Sequence, residues 1–220
     1  MEISIGINGL VKIVNKQIDN FFGLSPQERE IIIDNIGETM NRVNYCFSRS
    51  SNKYYHRNGN VFFDPFHSGQ YSIFLYFLSN TISRKGYDFN TLADKIYYLN
   101  KALNGLDVFH QVQMPDIFFV DHPVGSVIGR AVIGNFFSFA QNCTIGNNRG
   151  KYPTIGEHVR MTAHSAIIGK CDVGDYVIVG AGTIIKDVDV PPYSLVFGHP
   201  KTCVIKSYCP DNITPDPIFQ

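Results

Sequence analysis

The run Phe118-Phe119-Val120-Asp121-His122-Pro123 holds the histidine with the best setting for chemistry in this chain, and Asp107 stands fifteen residues upstream of it. If the residues between form most of one coil of about 18 residues, the chain returns to nearly the same corner and sets the carboxylate beside the imidazole. A neutral imidazole held by a carboxylate can take a proton from a hydroxyl as that oxygen attacks a carbonyl or thioester. The same spacing also suits a polar residue at a domain boundary, and spacing alone does not choose between the two readings.

Such a coil is written into the residues that follow. A large apolar residue recurs at every sixth position through Val127, Ile133, Phe139 and Ile145, then through Ile155, Met161, Ile167, Val173, Val179 and Ile185. Glycine often comes next, as in Ile133-Gly134, Ile155-Gly156 and Val173-Gly174. A small or β-branched residue falls four places after the leading one at Ala131, Cys143, Val159, Ser165, Val177 and Thr183. A triangular parallel β-helix needs this pattern, because leading aliphatics stack from coil to coil and three hexads close a turn. A β-sandwich would alternate with period two and would not hold a period of six through so many segments. Between Ile145 and Ile155 the register carries four extra residues, so the stretch Asn147 to Thr154 must leave one corner as a loop.

The first hundred residues read as helices that must support this coil. Ser25-Pro26-Gln27-Glu28 is a capping box with proline at the first helical position, and it opens a helix to about Tyr45. Gln70 to about Ser83 is a second helix, and Thr91 to Leu103 a third, with Leu92, Ile96, Leu99 and Leu103 on one stripe. The polar stretch Ser48 to Gly59 reads as a loop. The expected fold is therefore α+β, with an α-helical domain over 1–106, a parallel β-helix over 107–206 and a C-terminal tail over 207–220.

Composition narrows the function classes. Nineteen Lys and Arg balance nineteen Asp and Glu without charged blocks, which gives no reason to expect nucleic acid or an anionic membrane as partner. The dense apolar run Tyr71 to Leu78 is far short of the ~20 residues of a membrane span. Five scattered cysteines without a C-x-x-C pair suit reduced thiols, with Cys143 and Cys171 as small fillers of the coil. With no basic leader at Met1-Glu2, a soluble cytoplasmic protein is expected.

Several segments together resemble serine acetyltransferases. Leu103-Asn104-Gly105-Leu106-Asp107 is similar to that family's acidic lead into the coil, and Val120-Asp121-His122 to its Asp-His motif. Gln141-Asn142-Cys143-Thr144-Ile145-Gly146, Tyr152-Pro153-Thr154-Ile155-Gly156 and Val196-Phe197-Gly198-His199-Pro200 follow in the family's order. The resemblance covers about residues 103 to 206 and implies a left-handed β-helix, a homotrimer with active sites between subunits, and acetylation of a hydroxyl by acetyl-CoA. It implies His122 as general base, Asp107 as its orienter and Asp121 as an acceptor-binding carboxylate. It carries cofactor contacts to Ala163 and Ala181, sets Asn147 and Asn148 near the thioester, and places Lys201 where a cation meets phosphates.

The departures from the family bear on the acceptor. The loop has Lys151-Tyr152 where serine acetyltransferases usually have Arg-His, it is shorter, and Pro123 replaces a glycine after the base. The family's long N-terminal helical extension is not recognisable in residues 1–60. With the base kept and part of the amino-acid site altered, Lys151 and Tyr152 are expected to bind a different hydroxyl, first a sugar or surface glycan, second serine. A γ-carbonic anhydrase type of zinc site shares such a coil, and Ala163-His164-Ser165 resembles one of its histidine positions. Gly169 stands where a further ligand would be required, so no metal is expected. A non-catalytic scaffold is the remaining alternative, and the concurrence of Asp107, His122 and the loop argues against it.

Overall fold

The computed structural model describes residues 1–86, 91–209 and 218–219, and the chain divides into two compact units, Met1–Gln111 and Val112–Gln220. Among the described residues of the first unit there are four α-helices, α1 Gly6–Phe22, α2 Pro26–Phe47, α3 Ser68–Arg84 and α4 Thr91–Asn104. Ser25 caps α2 as expected: its Oγ accepts from the Glu28 amide at 3.2 Å, while its own amide donates to Glu28 Oε2 at 2.8 Å. Every residue of α3 from Gly69 to Ile82 is buried, which explains a helix apolar on nearly all sides. Two of its polar members bond inside: Gln70 Nε2 donates to the Tyr54 carbonyl at 2.7 Å and Asn80 Nδ2 to the His110 carbonyl at 2.7 Å, while Asn80 Oδ1 is buried without a partner among the described residues. The His110 ring is buried between Ser83 Oγ at 2.8 Å and Asp94 Oδ1 at 3.0 Å.

Two features of this unit differ from the sequence reading. Helix α1 was not expected, since Gly6, Asn8 and Gly9 open it and obscure the stripe Leu10, Val14 and Ile18, all buried at spacing four. The stretch from Ser48 to Gly59 is more than a loop. It holds a 3-10 turn Lys53–Tyr55 that buries Tyr55, then β2 His56–Arg57, which forms a hairpin with β3 Asn60–Phe63. Asn58 and Gly59 take the positive φ that a two-residue hairpin turn requires. β1 Glu2–Ile3 completes the small sheet in parallel with β3.

The second unit is a left-handed parallel β-helix. One face stacks β5 Phe118–Val120, β8 Phe137–Phe139, β11 Arg160–Met161, β14 Ile178–Val179 and β16 Ser194–Phe197, with β17 Val204–Ser207 antiparallel at its end. A second stacks β6 Val127–Ile128, β9 Thr144–Gly146, β12 Ala166–Ile168 and β15 Ile184–Lys186. The third stacks β7 Val132–Ile133, β10 Thr154–Ile155 and β13 Asp172–Val173. The leading residues meet as the six-residue period requires: Phe139, Met161, Val179 and Val196 form one column, and Ile145, Ile167 and Ile185 another. Cys143, Val159, Ser165, Val177 and Thr183 fill the space between, all buried.

The register needs one correction. Ile128, not Val127, stands opposite Ile145, and Ile128 is 1% exposed against 44% for Val127. The first coil is one residue short of the regular turn, so the period-six count lands beside the inward position there.

Corners of the coil adopt left-handed backbone. At one, Phe136, His158, Tyr176 and Tyr193 all have positive φ and their rings stack in sequence, with centroid separations of 4.2, 4.5 and 4.9 Å. Such stacking, worth about 0.5–1.5 kcal/mol per pair, offsets the strain of side chains in that conformation. Tyr208 and Phe219 meet the two ends of the stack edge-on.

Candidate active site

His122 lies at the corner where the first face passes into the second. The later passages of that edge are Gln141-Asn142, Ala163-His164, Ala181-Gly182 and the turn Gly198 to Cys203. Backbone bonds tie these passages together: Asn142 N donates to the Val124 carbonyl at 3.0 Å, His164 N to Gln141 at 2.9 Å and Gly182 N to Ala163 at 3.0 Å. His122, Asn142, His164 and Gly182 all have positive φ, so the tight corner projects a column of polar side chains outward. Asn142 Nδ2 and His164 Nε2 are 3.4 Å apart, and His122 Nε2 is 3.6 Å from Asp121 Oδ1. The His122 ring is 87% exposed along this edge.

Of the residues expected from the sequence, Asp121, His122, Ala163, Ala181 and Lys201 share this one edge. Lys201 closes the turn after β16, four strand spacings above the row of His122, a rise of about 19 Å. Asn147, Asn148, Lys151 and Tyr152 lie on a different edge, the corner between β9 and β10. There Asn148 and Lys151 exchange backbone hydrogen bonds of 3.0 and 2.9 Å around Arg149-Gly150, both at positive φ. Asn148 also donates its side-chain amide to Asp187 Oδ2 at 2.5 Å, and Asp187 Oδ1 accepts from the Lys170 amide at 3.0 Å. Gly169 makes room for this clasp, since a Cβ there would meet Asp187 Oδ1 at 2.0 Å. The loop is thus held against its own coil, with Tyr152 and Lys151 exposed on it.

Asp107 belongs to the first unit. Tyr97 Oη donates to its Oδ1 and Lys101 Nζ to its Oδ2, each at 2.6 Å. Burial pushes its carboxyl up, but the bonds from Lys101 and Tyr97 outweigh that and hold it below the usual carboxylate value. Tyr97 in turn is raised by burial and by its bond to the carboxylate, and Lys101 by its bond to Asp107. Sequence reasoning missed both donors, although their spacing of four on a helix puts them on one face.

A small pocket on the outer side of the first face is lined by Asp121, Ala140, Arg160 and Thr162, with the tail residue Ile218 at its wall. Arg160 was not singled out in the sequence either. Its signal is a charged residue directly before an inward position of the repeat. Among the described residues, no group of three or more His, Cys, Asp or Glu side chains converges to hold a metal ion, and no helix is long and apolar enough to cross a membrane.

No family model matches the chain. Curated relatives do. The serine acetyltransferase of Bacillus subtilis is 28% identical over 146 residues, 64% of this chain and 66% of that protein. That of Synechococcus elongatus is 30% identical over 115 residues, 50% of this chain and 47% of that protein. The matched stretch therefore spans less than two thirds of either relative's length. Among solved structures, a Neisseria gonorrhoeae serine acetyltransferase superposes with a TM-score of 0.71 at 22% identity, covering 94% of this chain and 82% of that one. A serine acetyltransferase in complex with CoA gives 0.69 at 19% identity over 90% of this chain and 83% of that one. In sequence and in fold, this chain is serine acetyltransferase-like.

Proposed function

We propose that the chain transfers an acetyl group from acetyl-CoA to a hydroxyl, and that the acceptor is serine. The observation that carries this is the open edge on which His122 and Asp121 lie at one end and Lys201 at the other, with the small residues Ala163 and Ala181 between them. An extended ligand with a thioester at one end and phosphates at the other fits such an edge, and the neighbouring fold solved with CoA supports that choice.

His122 takes the proton of the acceptor hydroxyl as its oxygen attacks the thioester carbonyl, and returns that proton to the departing thiolate. Asp107, kept ionised by Lys101 and Tyr97, orients the imidazole. Asn147, Asn148, Lys151 and Tyr152 sit on another edge of their own coil, which fits a homotrimer whose loops serve a neighbour's site. The sequence reading preferred a glycan acceptor because Lys151-Tyr152 stands in place of Arg-His. The named relatives favour serine instead, and Lys151 keeps a cation on the loop.

The test is thiol release from acetyl-CoA by the purified chain with serine, nucleotide sugars or oligosaccharides as acceptor. Serine is expected to give turnover and O-acetylserine by mass. Turnover with sugars alone would overturn the acceptor. His122→Ala is expected to lower kcat by roughly 10²–10⁴, and unchanged turnover would refute its role as base.

A further inference from the structure

On the first face, the residue after each inward column member faces outward beside the His122 edge: Ala140 after Phe139, Thr162 after Met161, Gly180 after Val179 and Phe197 after Val196. The lower three are small, and Ala163 and Ala181 continue them around the edge. Thr162 also folds its hydroxyl onto the Val179 carbonyl at 2.7 Å. These positions leave a smooth trough running up the coil, and Phe197 stands at its head. A Cβ on Gly180 would meet Phe197 Cδ1 at 2.5 Å and Cε1 at 2.7 Å, so the ring settles against Gly180 only because that residue has no side chain. Val204, the cross-strand partner of Phe197, flanks it on the same side of the sheet. One side of the ring is thereby pinned to the coil, yet Phe197 stays 44% exposed and Val204 48%.

We infer that Phe197 stacks on the adenine of acetyl-CoA and so selects the whole nucleotide thioester over its shorter fragments. This rests on the reading of the His122 edge as the path of acetyl-CoA. With the thioester at His122, the slender pantetheine arm passes over Thr162, Ala163, Gly180 and Ala181, where larger side chains would block it. Its diphosphate then arrives at Lys201, and the nucleoside beyond it reaches the end of β16, where Phe197 lies. Adenine is the aromatic part of CoA, and a purine face stacks on an aromatic side chain. A ring already pinned against Gly180 loses little freedom when it is covered, so more of the stacking appears as affinity. Lys201 thus meets the charge of the nucleotide, and Phe197 its base.

The experiment measures Kd by calorimetry for CoA and for 4′-phosphopantetheine, which lacks the adenosine, so that it needs no acceptor. The proteins are wild type, Phe197→Ala, Phe197→Leu and Phe197→Tyr, each checked for assembly mass by light scattering. Phe197→Ala is expected to raise Kd for CoA by roughly 5- to 100-fold, the worth of one base stacked on a ring, and to leave Kd for 4′-phosphopantetheine unchanged. Phe197→Leu keeps apolar bulk over Gly180 without a flat ring and should lose most of the same affinity, whereas Phe197→Tyr should bind CoA as wild type does. If wild type binds CoA and Phe197→Ala or Phe197→Leu binds it equally well, this inference fails alone. Equal loss for both ligands in Phe197→Ala, or a changed assembly mass, would assign the ring to packing and also overturn it. A wild type that binds no CoA overturns the reading of the His122 edge and this inference with it.

Discussion

Truncating Ile128 and Val127 separately to alanine tests the shortened first coil directly. Ile128 is 1% exposed and stacks on Ile145, while its neighbour Val127 is 44% exposed. Ile128→Ala removes three carbons from the core, a transfer loss of about 2.4 kcal/mol at roughly 0.8 kcal/mol per buried group. The cavity left in a coil whose strands cannot close inward brings the total to about 3 kcal/mol. Val127→Ala removes two carbons that already face outward and should cost under about 0.5 kcal/mol. At roughly 2–4 °C per kcal/mol for a chain of this size, Ile128→Ala should lower Tm by about 6–12 °C and Val127→Ala by no more than about 2 °C. Thermal melts at one protein concentration measure both. Equal losses, or the larger loss at Val127, would refute the register and restore an unbroken six-residue period through the first coil.

Lys101→Met removes one of the two bonds that hold Asp107 below the usual carboxylate value. A depressed carboxyl contributes stability at neutral pH that is lost as pH falls through its folded value. The variant should therefore lie below wild type by under about 1 kcal/mol near pH 7 for so exposed a pair, and that gap should close as pH falls through the carboxyl's folded value, because the stabilisation being lost there belongs to the wild type. Melts from pH 3 to 7 that run parallel would contradict this. Gly169→Ala places a Cβ 2.0 Å from Asp187 Oδ1 at a φ of +85°, so a loss of about 1–3 kcal/mol is expected. Hydrogen exchange should show faster opening at Asn148 and Lys170, and unchanged protection there would mean that the Asp187 clasp does not hold the loop.

The coil was legible because its interior imposes one demand every sixth residue, and Phe139, Met161 and Val179 meet it with side chains that few other folds would space in that way. Val127 misled because a coil one residue short keeps an aliphatic at both the counted and the true position. The capping box at Ser25 was plain, whereas α1 hid behind two glycines. Asp107 and His122 stood out through their motifs. Their surroundings did not, because the corner column of Asn142 and His164 depends on left-handed backbone that no periodicity reports. Arg160 became visible only when strand pairing set it in one pocket with Asp121, 39 residues earlier in the chain.

The loop at 147–154 lengthens a single corner, yet Ile155 still settles on Ile133 and Met161 on Phe139. A coil of this kind tolerates insertion or deletion at one edge without moving the others. Mutation can therefore reshape the outlying loop while the edge bearing His122 stays in place, so substrate choice and chemical step are free to diverge along separate lines of descent.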